Sequence, residues 1–163
     1  MKNGLVISDA GPIISLAVVE ELIILDELFD EIYIPKAVWE ELTRDESKSQ
    51  HQRITDYFVD KVKDISGFNN LTFVMDYGES ESVILYKEIE ADYLLIDDRK
   101  ARSIAETLGV QCIGTIGILS IAKERGIVKK LRPIFQTFLQ EKRFYSLKLL
   151  NLILRKHNEE EIK

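Results

Sequence analysis

Leu5-Val6-Ile7-Ser8-Asp9-Ala10-Gly11-Pro12 opens the chain with a short apolar run, an acid and a turn. Three apolar residues in a row, closed by Ser8 with no polar alternation, read as a strand covered on both faces. Pro12 suits the first turn of a helix, where a missing N–H costs nothing, and Ile13 to Leu25 predicts one strongly apolar helix. The same sequence of strand, acid and helix start returns at Tyr93-Leu94-Leu95-Ile96-Asp97-Asp98. Arg99–Leu108 then reads as a helix stopped by Gly109, a C-terminal signal.

Between and beyond these two segments the pattern continues. Glu31–Ile34 predicts a second strand, and Pro35 opens the helix of PKAVWEELTRDE. Residues 47–63 are polar, with Ile54, Phe58 and Val62 at helical spacing, and Leu71–Val74 reads as a short edge strand. Gly78 introduces a helix over Glu79–Glu90. Val110–Ile113 is a further strand, followed by Gly114-Thr115 and a helix ending near Gly126. Two more helices are expected between Lys129 and His157, with Pro133 near the start of the first and the tail HNEEEIK frayed. Short apolar strands alternating with helices predict an α/β fold: a parallel sheet of four or five short strands covered on both faces. The expected organisation is one domain over residues 1–126 and a helical extension, 127–163, packed on it.

Composition narrows the function classes. The chain has 163 residues, 45% hydrophobic and 31% charged, which is ordinary globular composition. Cys112 is the one cysteine and His51 and His157 the two histidines, so a disulfide scaffold is excluded and a structural zinc site has almost no ligands to draw on. No segment approaches the roughly 18 apolar residues of a membrane span, and the first apolar run meets Asp9 too early for a secretory signal. A cytoplasmic protein is expected. The net charge of −6 is uneven: residues 1–122 carry 11 Lys and Arg against 23 Asp and Glu, and residues 123–163 carry 11 against 5. The acidic part attracts phosphate only through a metal, whereas the basic part can do so directly.

Ligands of open α/β sheets bind beyond the carboxyl ends of the strands, where this sequence puts Asp9, Asp97, Asp98 and the Gly114-Thr115 pair. In the PKAVWEEL helix the apolar set is Val38, Trp39 and Leu42. At about 100° per residue, Glu41 lies about 110° from its centre and Glu40 about 150°, so Glu41 flanks the buried face and Glu40 faces water. Glu79 and Glu81 are spaced i, i+2 and do not share a helix face. Asp9, Glu41, Glu79 or Glu81, and Asp97 or Asp98 are thereby placed to converge. Four acids without basic partners repel one another unless hard divalent cations with a preference for oxygen ligands intervene. The chemistry served by such a cluster is in-line displacement at phosphorus. Each acid has a plainer reading as well. Glu79 and Glu81 suit the positive end of a helix dipole, Asp98 suits an N-cap before Arg99 better than Asp9 does before Ala-Gly-Pro, and Glu41 suits a solvated surface.

Five blocks, VISDAGPIISLA, IPKAVWEEL, GESESVILY, LLIDDRKARSIAETLGV and IGTIGILSIAKERGIV, resemble PIN-domain ribonucleases in family order, and more narrowly the VapC-like toxin branch with a helical C-terminal extension. The resemblance covers most of residues 4–140. It implies a PIN-like three-layer fold and a Mg²⁺- or Mn²⁺-dependent endoribonuclease acting on single-stranded RNA. It carries the acids over onto Asp9, Glu41, Glu79 (with Glu81 as its alternative) and Asp97 (with Asp98 as its rival). Asp9 and Asp97 would be the main metal ligands, and Gly114 and Thr115 would line the site in a supporting role. It also implies a toxin of a toxin–antitoxin pair, a homodimer silenced by a small antitoxin protein. Lys123, Arg125, Lys129, Lys130 and Arg132 are the densest candidates for a surface that tracks RNA phosphates. The competing reading is a PIN-like nucleic-acid-binding or regulatory module with weak or no cleavage. A receiver-like domain lacks its lysine after the last strand, a haloacid-dehalogenase-like phosphatase would need Asp where Gly11 stands, and no P-loop motif is present.

Overall fold

The computed structural model describes residues 2–163. The strands β1 (Leu5–Ser8), β2 (Glu31–Pro35), β3 (Val62–Lys63), β4 (Tyr93–Leu95) and β5 (Cys112–Ile113) form one parallel sheet in the order β3-β2-β1-β4-β5. β1 is central, its Val6 in register with Ile32 on one side and Tyr93 on the other. The chain leaves β1 to build β2 on one side and returns to place β4 on the other. The gap between β1 and β4 is therefore the switch point of the sheet, the usual place for a crevice.

Alternate side chains of the central strands enter two cores, as a period of two requires. Val6 and Leu95 join a cluster with α1 (Ala10–Val18), α2 (Ile23–Leu28), α3 (Lys36–Thr43), α4 (His51–Phe58) and α7 (Thr115–Glu124). Ile7, Leu94 and Ile96 join the opposite cluster with α5 (Tyr77–Glu88) and α6 (Arg99–Thr107). The extension is continuous with the first cluster. Phe135 and Phe138 of α8 (Arg132–Gln140) and Leu150 and Leu154 of α9 (Leu147–Lys156) are at most 1% exposed within it. Each such side chain contributes roughly 1.5–3 kcal/mol by burial.

The structure departs from the sequence expectations at four places. The helix expected over Ile13–Leu25 begins at Ala10, with Asp9 as N-cap, and breaks after Val18, where Glu20 takes φ +59°. Val62 lies in β3, because the chain turns after Phe58 and pairs with Ile34. Leu71–Val74 is a turn, with the Val74 and Met75 amides both donating to Leu71 O at 3.0 Å. The tail is tied down: Glu159 accepts from the Leu131 and Arg132 amides, and Asn151 exchanges two hydrogen bonds with Ile162.

Candidate active site

Asp9 follows β1 at the carboxyl edge of the sheet. Its amide still pairs with Leu95 O at 2.9 Å, which fixes the backbone, but its side chain does not cap α1 and is left beside the crevice at 8% exposure. Glu41 reaches the same point from the last turn of α3, and Gly78, in the first turn of α5, separates the two. A Cβ at Gly78 would lie 2.9 Å from Glu41 Oε2 and 3.5 Å from Asp9 Oδ1. Glycine here leaves room that any side chain would fill. Asp76 and Glu79 stand next to it, joined in a capping box: the Glu79 amide donates to Asp76 Oδ1 at 2.8 Å and the Asp76 amide to Glu79 Oε2 at 3.1 Å.

The electrostatics follow from this crowding. Burial, then the charges of Glu41, Glu79 and Asp76, push the Asp9 carboxyl up to about 8, against a partial relief from the Ala10 amide. Burial and Asp76 raise Glu41, with Arg44 opposing. Glu79 is raised by burial and by Asp76, Asp98 and Glu41, with the Asp76 amide opposing. Among the described residues no lysine or arginine forms an ion pair with Asp9, Glu41, Asp76, Glu79, Asp97 or Asp98.

Asp97 and Asp98, adjacent after β4, part company as residues on an extended segment must. Asp98 turns to α6, accepting the Ala101 amide at 2.8 Å as its N-cap, and its charge reaches Glu79. Asp97 turns towards α7. Its Oδ1 accepts the Thr115 amide at 2.7 Å, and its Oδ2 accepts Thr115 Oγ1 at 2.7 Å and the Tyr145 hydroxyl at 2.6 Å. Thr115 is fully buried as the first residue of α7, with Gly114 as N-cap, so its two donors are fixed by the strand-to-helix turn. Gly11 and Gly114 leave space around Asp97, where added Cβ atoms would come within 3.7 Å of Oδ2 and 3.2 Å of Oδ1. Arg102 stands beside Gly114, engaged with Glu106 Oε1 at 3.0 Å and Cys112 O at 3.4 Å.

Glu81 points elsewhere. It is 8% exposed and its Oε1 accepts the Ala37 amide at 3.1 Å, supplying the first turn of α3 with the acceptor that Pro35, its N-cap, cannot offer. The basic candidates are also remote. Lys123 sits near the last turn of α7, roughly 12 Å along the helix from Thr115 at 1.5 Å per residue, and pairs with Glu159 at 3.0 Å. Arg125 donates to Asn3 Oδ1 at 3.0 Å and Arg132 to Glu160 O at 3.1 Å, while Lys129 and Lys130 are exposed. Closer to the acids, Phe73 at 92% exposure shares a surface recess with Asp76, Glu79, Asp98 and Lys100.

Asp76, Ser15, Arg143 and Tyr145 escaped the sequence reading. Asp76-x-x-Glu79 before an apolar stretch is a legible capping signature. The other three have no local signal, because their roles exist only once α8, α9 and α1 are packed together.

A parallel sheet with acids at its switch point, glycines that keep space between them and, among the described residues, no ion pair to neutralise them defines an α/β domain with an oxygen-rich edge. That donor set fits a hard divalent ion. The chain belongs to the family whose model is described as DUF3368, PIN domain, which matches residues 5–159. PIN domains are generally nucleases, and they generally use divalent metal ions. No curated protein matches the chain. No helix among the described residues is long and apolar enough to cross a membrane.

Proposed function

We propose that this protein is a Mg²⁺- or Mn²⁺-dependent endoribonuclease that hydrolyses phosphodiester bonds of single-stranded RNA, the toxin of a VapC-like toxin–antitoxin pair. In this reading it works in the cytoplasm as a homodimer silenced by a small antitoxin. The observation that carries it is Asp9: a carboxylate withdrawn from water, crowded by three other acids and left without a cation by its own chain. A fold that keeps such a group at its switch point bears a cost that a bound divalent ion offsets.

Asp9, Glu41 and Glu79 would hold the ion from β1, α3 and α5, with Asp97 and Asp98 contributing from the end of β4. Glu81 is the alternative ligand to Glu79, at the cost of its bond to Ala37. A divalent ion bound there would supply Lewis acidity towards a phosphoryl oxygen and ease deprotonation of water. The chain's own part is to fix the carboxylates and keep Gly78 and Gly114 clear for substrate, with Thr115 bracing Asp97. Phe73, beside the acids and turned to solvent, suits stacking against an unpaired base, which favours single strands. Lys123, Arg125, Lys129, Lys130 and Arg132 would meet a more distant stretch of RNA backbone.

Purified protein incubated with single-stranded RNA and Mn²⁺ should cleave it, chelator should stop the reaction, and Asp9→Asn should lower the rate at least about 100-fold. One observation favours the second reading, a binding module without cleavage. Among the described residues no three His, Cys, Asp or Glu side chains already form a metal-holding group. RNA binding without cleavage under every metal condition would establish that reading and sink the first.

A further inference from the structure

A second recess opens at the carboxyl edge of the sheet, over β4 and β5, next to the acids at the switch point. It measures about 390 Å³, and Ile113, Ile116, Leu149 and Ile153 give it apolar walls. Asp97 and Arg102 are the charged groups of its lining. Both come close beside Gly114: a Cβ there would lie 3.2 Å from Asp97 Oδ1 and 3.5 Å from Arg102 Nη1. Arg102 pairs with Glu106 and not with Asp97, so the space between the two remains open to an entering group. Each side chain is held from behind. Asp97 accepts the Thr115 amide on Oδ1, and the Thr115 and Tyr145 hydroxyls on Oδ2. An ionised carboxylate has about four lone-pair positions, so the one left over is an acceptor on Oδ1. Arg102 spends Nε on Glu106 Oε1 and Nη2 on Cys112 O. Nη1, the nitrogen beside Gly114, has no hydrogen-bond partner among the described residues.

One acceptor and one donor therefore face each other across an apolar recess. A cation entering it would meet the guanidinium, and a phosphate would meet the carboxylate. The lining suits an uncharged group with an N–H beside a C=O and apolar faces. A nucleobase has this form: unstacked RNA bases are read on their hydrogen-bonding edges, and arginine on guanine O6 belongs to the commonest specific base contact. We propose that this recess is a base-specificity pocket of the nuclease centre that takes guanine or uracil: Asp97 Oδ1 accepts the ring N–H, and Arg102 Nη1 donates to the adjoining carbonyl oxygen. In that pose adenine and cytosine turn a ring-nitrogen lone pair to the carboxylate and leave it without a donor, a strong form of discrimination. Asp97 and Asp98 are consecutive, about 3.8 Å apart at Cα, and Asp98 shares its own recess with Asp76 and Glu79. A single strand crossing the edge can thus set a phosphate on the acids and a neighbouring base against Asp97 and Arg102. The inference rests on the nuclease reading and narrows it, since an Oδ1 engaged by a base leaves Asp98 as the ligand from the end of β4.

The test is the binding of short labelled oligoadenylates that differ at one central position (A, C, G or U), read by fluorescence anisotropy in chelator. Wild-type protein should hold the G or the U oligonucleotide about 10-fold or more tightly than the A and C ones, as expected of a base read by paired hydrogen bonds. The two arms say which of the two bases the pocket prefers. Arg102→Met keeps the bulk of the side chain and removes the donors, so all four affinities should fall together to one value. Leu149→Trp, at a half-exposed wall position, should fill the recess and erase the preference while the guanidinium stays in place. Equal binding of all four by wild type, a preference for A or C, or a preference that survives Arg102→Met overturns the inference. Should Arg102→Met not fold, a preference that survives Leu149→Trp overturns it alone. Cleavage with Mn²⁺ separates this inference from the reading beneath it. A protein that prefers G or U but never cleaves sinks the nuclease reading and keeps the pocket. One that cleaves with no regard to base sinks the pocket alone, and one that neither binds nor cleaves RNA sinks both.

Discussion

Asp9 and Glu159 are carboxylates withdrawn from water at two ends of the molecule. The Glu159 side chain is 11% exposed, accepts the Leu131 amide at 2.9 and 3.0 Å and the Arg132 amide at 2.9 Å, and pairs with Lys123 at 3.0 Å. Against the effect of burial, those donors hold it below the ordinary carboxylate range. Asp9 is more deeply buried, its neighbours are acids, and its carboxyl is pushed up to about 8. The two show what separates a carboxylate that holds the fold from one that the fold merely tolerates. The first finds its donors within the chain and ties the tail to α8; the second has acids for neighbours and is left to hold a proton or, in the proposed function, to face a divalent ion.

The strongest way to break this comparison is to neutralise Asp9. With chelator present, Asp9→Asn should stabilise the protein at pH 7.5, by up to about 5 kcal/mol, because an uncharged isostere spares the folded state the proton that the buried carboxyl must take up. The sign follows from proton counts. An unfolded Asp titrates near 4 and the folded one near 8, so between those values the folded state binds more protons and stability falls as pH rises. The advantage of Asp9→Asn should therefore shrink towards zero near pH 4, and saturating Mn²⁺ should abolish or reverse it at pH 7.5. Urea melts at the two pH values, with and without metal, measure this. A destabilised Asp9→Asn in chelator would show that the carboxylate is held by the fold after all.

Glu159→Ala should do the opposite. It strands two amides and Lys123, and a cost of about 1–3 kcal/mol is expected from buried donors left without partners, with Mn²⁺ affinity untouched. Since the folded-state carboxyl is depressed, its contribution is present above the unfolded value near 4.3 and fades as pH falls through the folded one. A Glu159→Ala protein as stable as wild type would remove the structural half of the comparison.

The same distinction explains what could be read from the sequence. β1, β2 and β4 were legible because each is an apolar run closed by an acid or a proline, and Gly109 and Gly126 mark helix ends with φ +84° and +74°. Helical phase misled at Val62: Ile54, Phe58 and Val62 keep a spacing of four, although the backbone has turned and joined β2. The break after Val18 has no Gly or Pro to announce it, since Glu20 itself adopts the positive φ. Asp9, Glu41 and Glu79 could be proposed as neighbours because strand ends and helix phase are local properties. The division of labour between Asp97 and Asp98, and the arrival of Tyr145, depend on how distant helices pack.

Glu81 gives a sharper, smaller test. It shares α5 with Glu79 and is as buried as Asp9, but it caps α3 through the Ala37 amide. If this acid belongs with Glu159 rather than with Asp9, Glu81→Gln should retain both stability and Mn²⁺ affinity, because the amide oxygen accepts the same bond. Glu81→Ala should lose about 1–2 kcal/mol, as the removal of other helix caps does, and any fall in activity should follow the loss of folded protein. A Glu81→Gln variant that folds normally and loses Mn²⁺ binding would move Glu81 to the metal side of the divide and Glu79 towards a capping role alone.

The smallest expected effect concerns the two exposed lysines between α7 and α8. Lys129 and Lys130 lie beyond the far end of α7 from the acids, so neutralising both should leave the cleavage chemistry intact and act only on long-range attraction. If RNA passes over them, Lys129→Ala/Lys130→Ala should reduce the slope of log affinity against log salt by about 0.7 for each phosphate that is no longer neutralised, the single-strand value. Short oligonucleotides that cannot reach from Asp9 to that end should be bound equally well by both proteins. Fluorescence anisotropy of long and short labelled RNA in chelator, across a salt series, separates the cases. An unchanged slope with the long RNA would leave the basic end as the solvated surface of a helical extension.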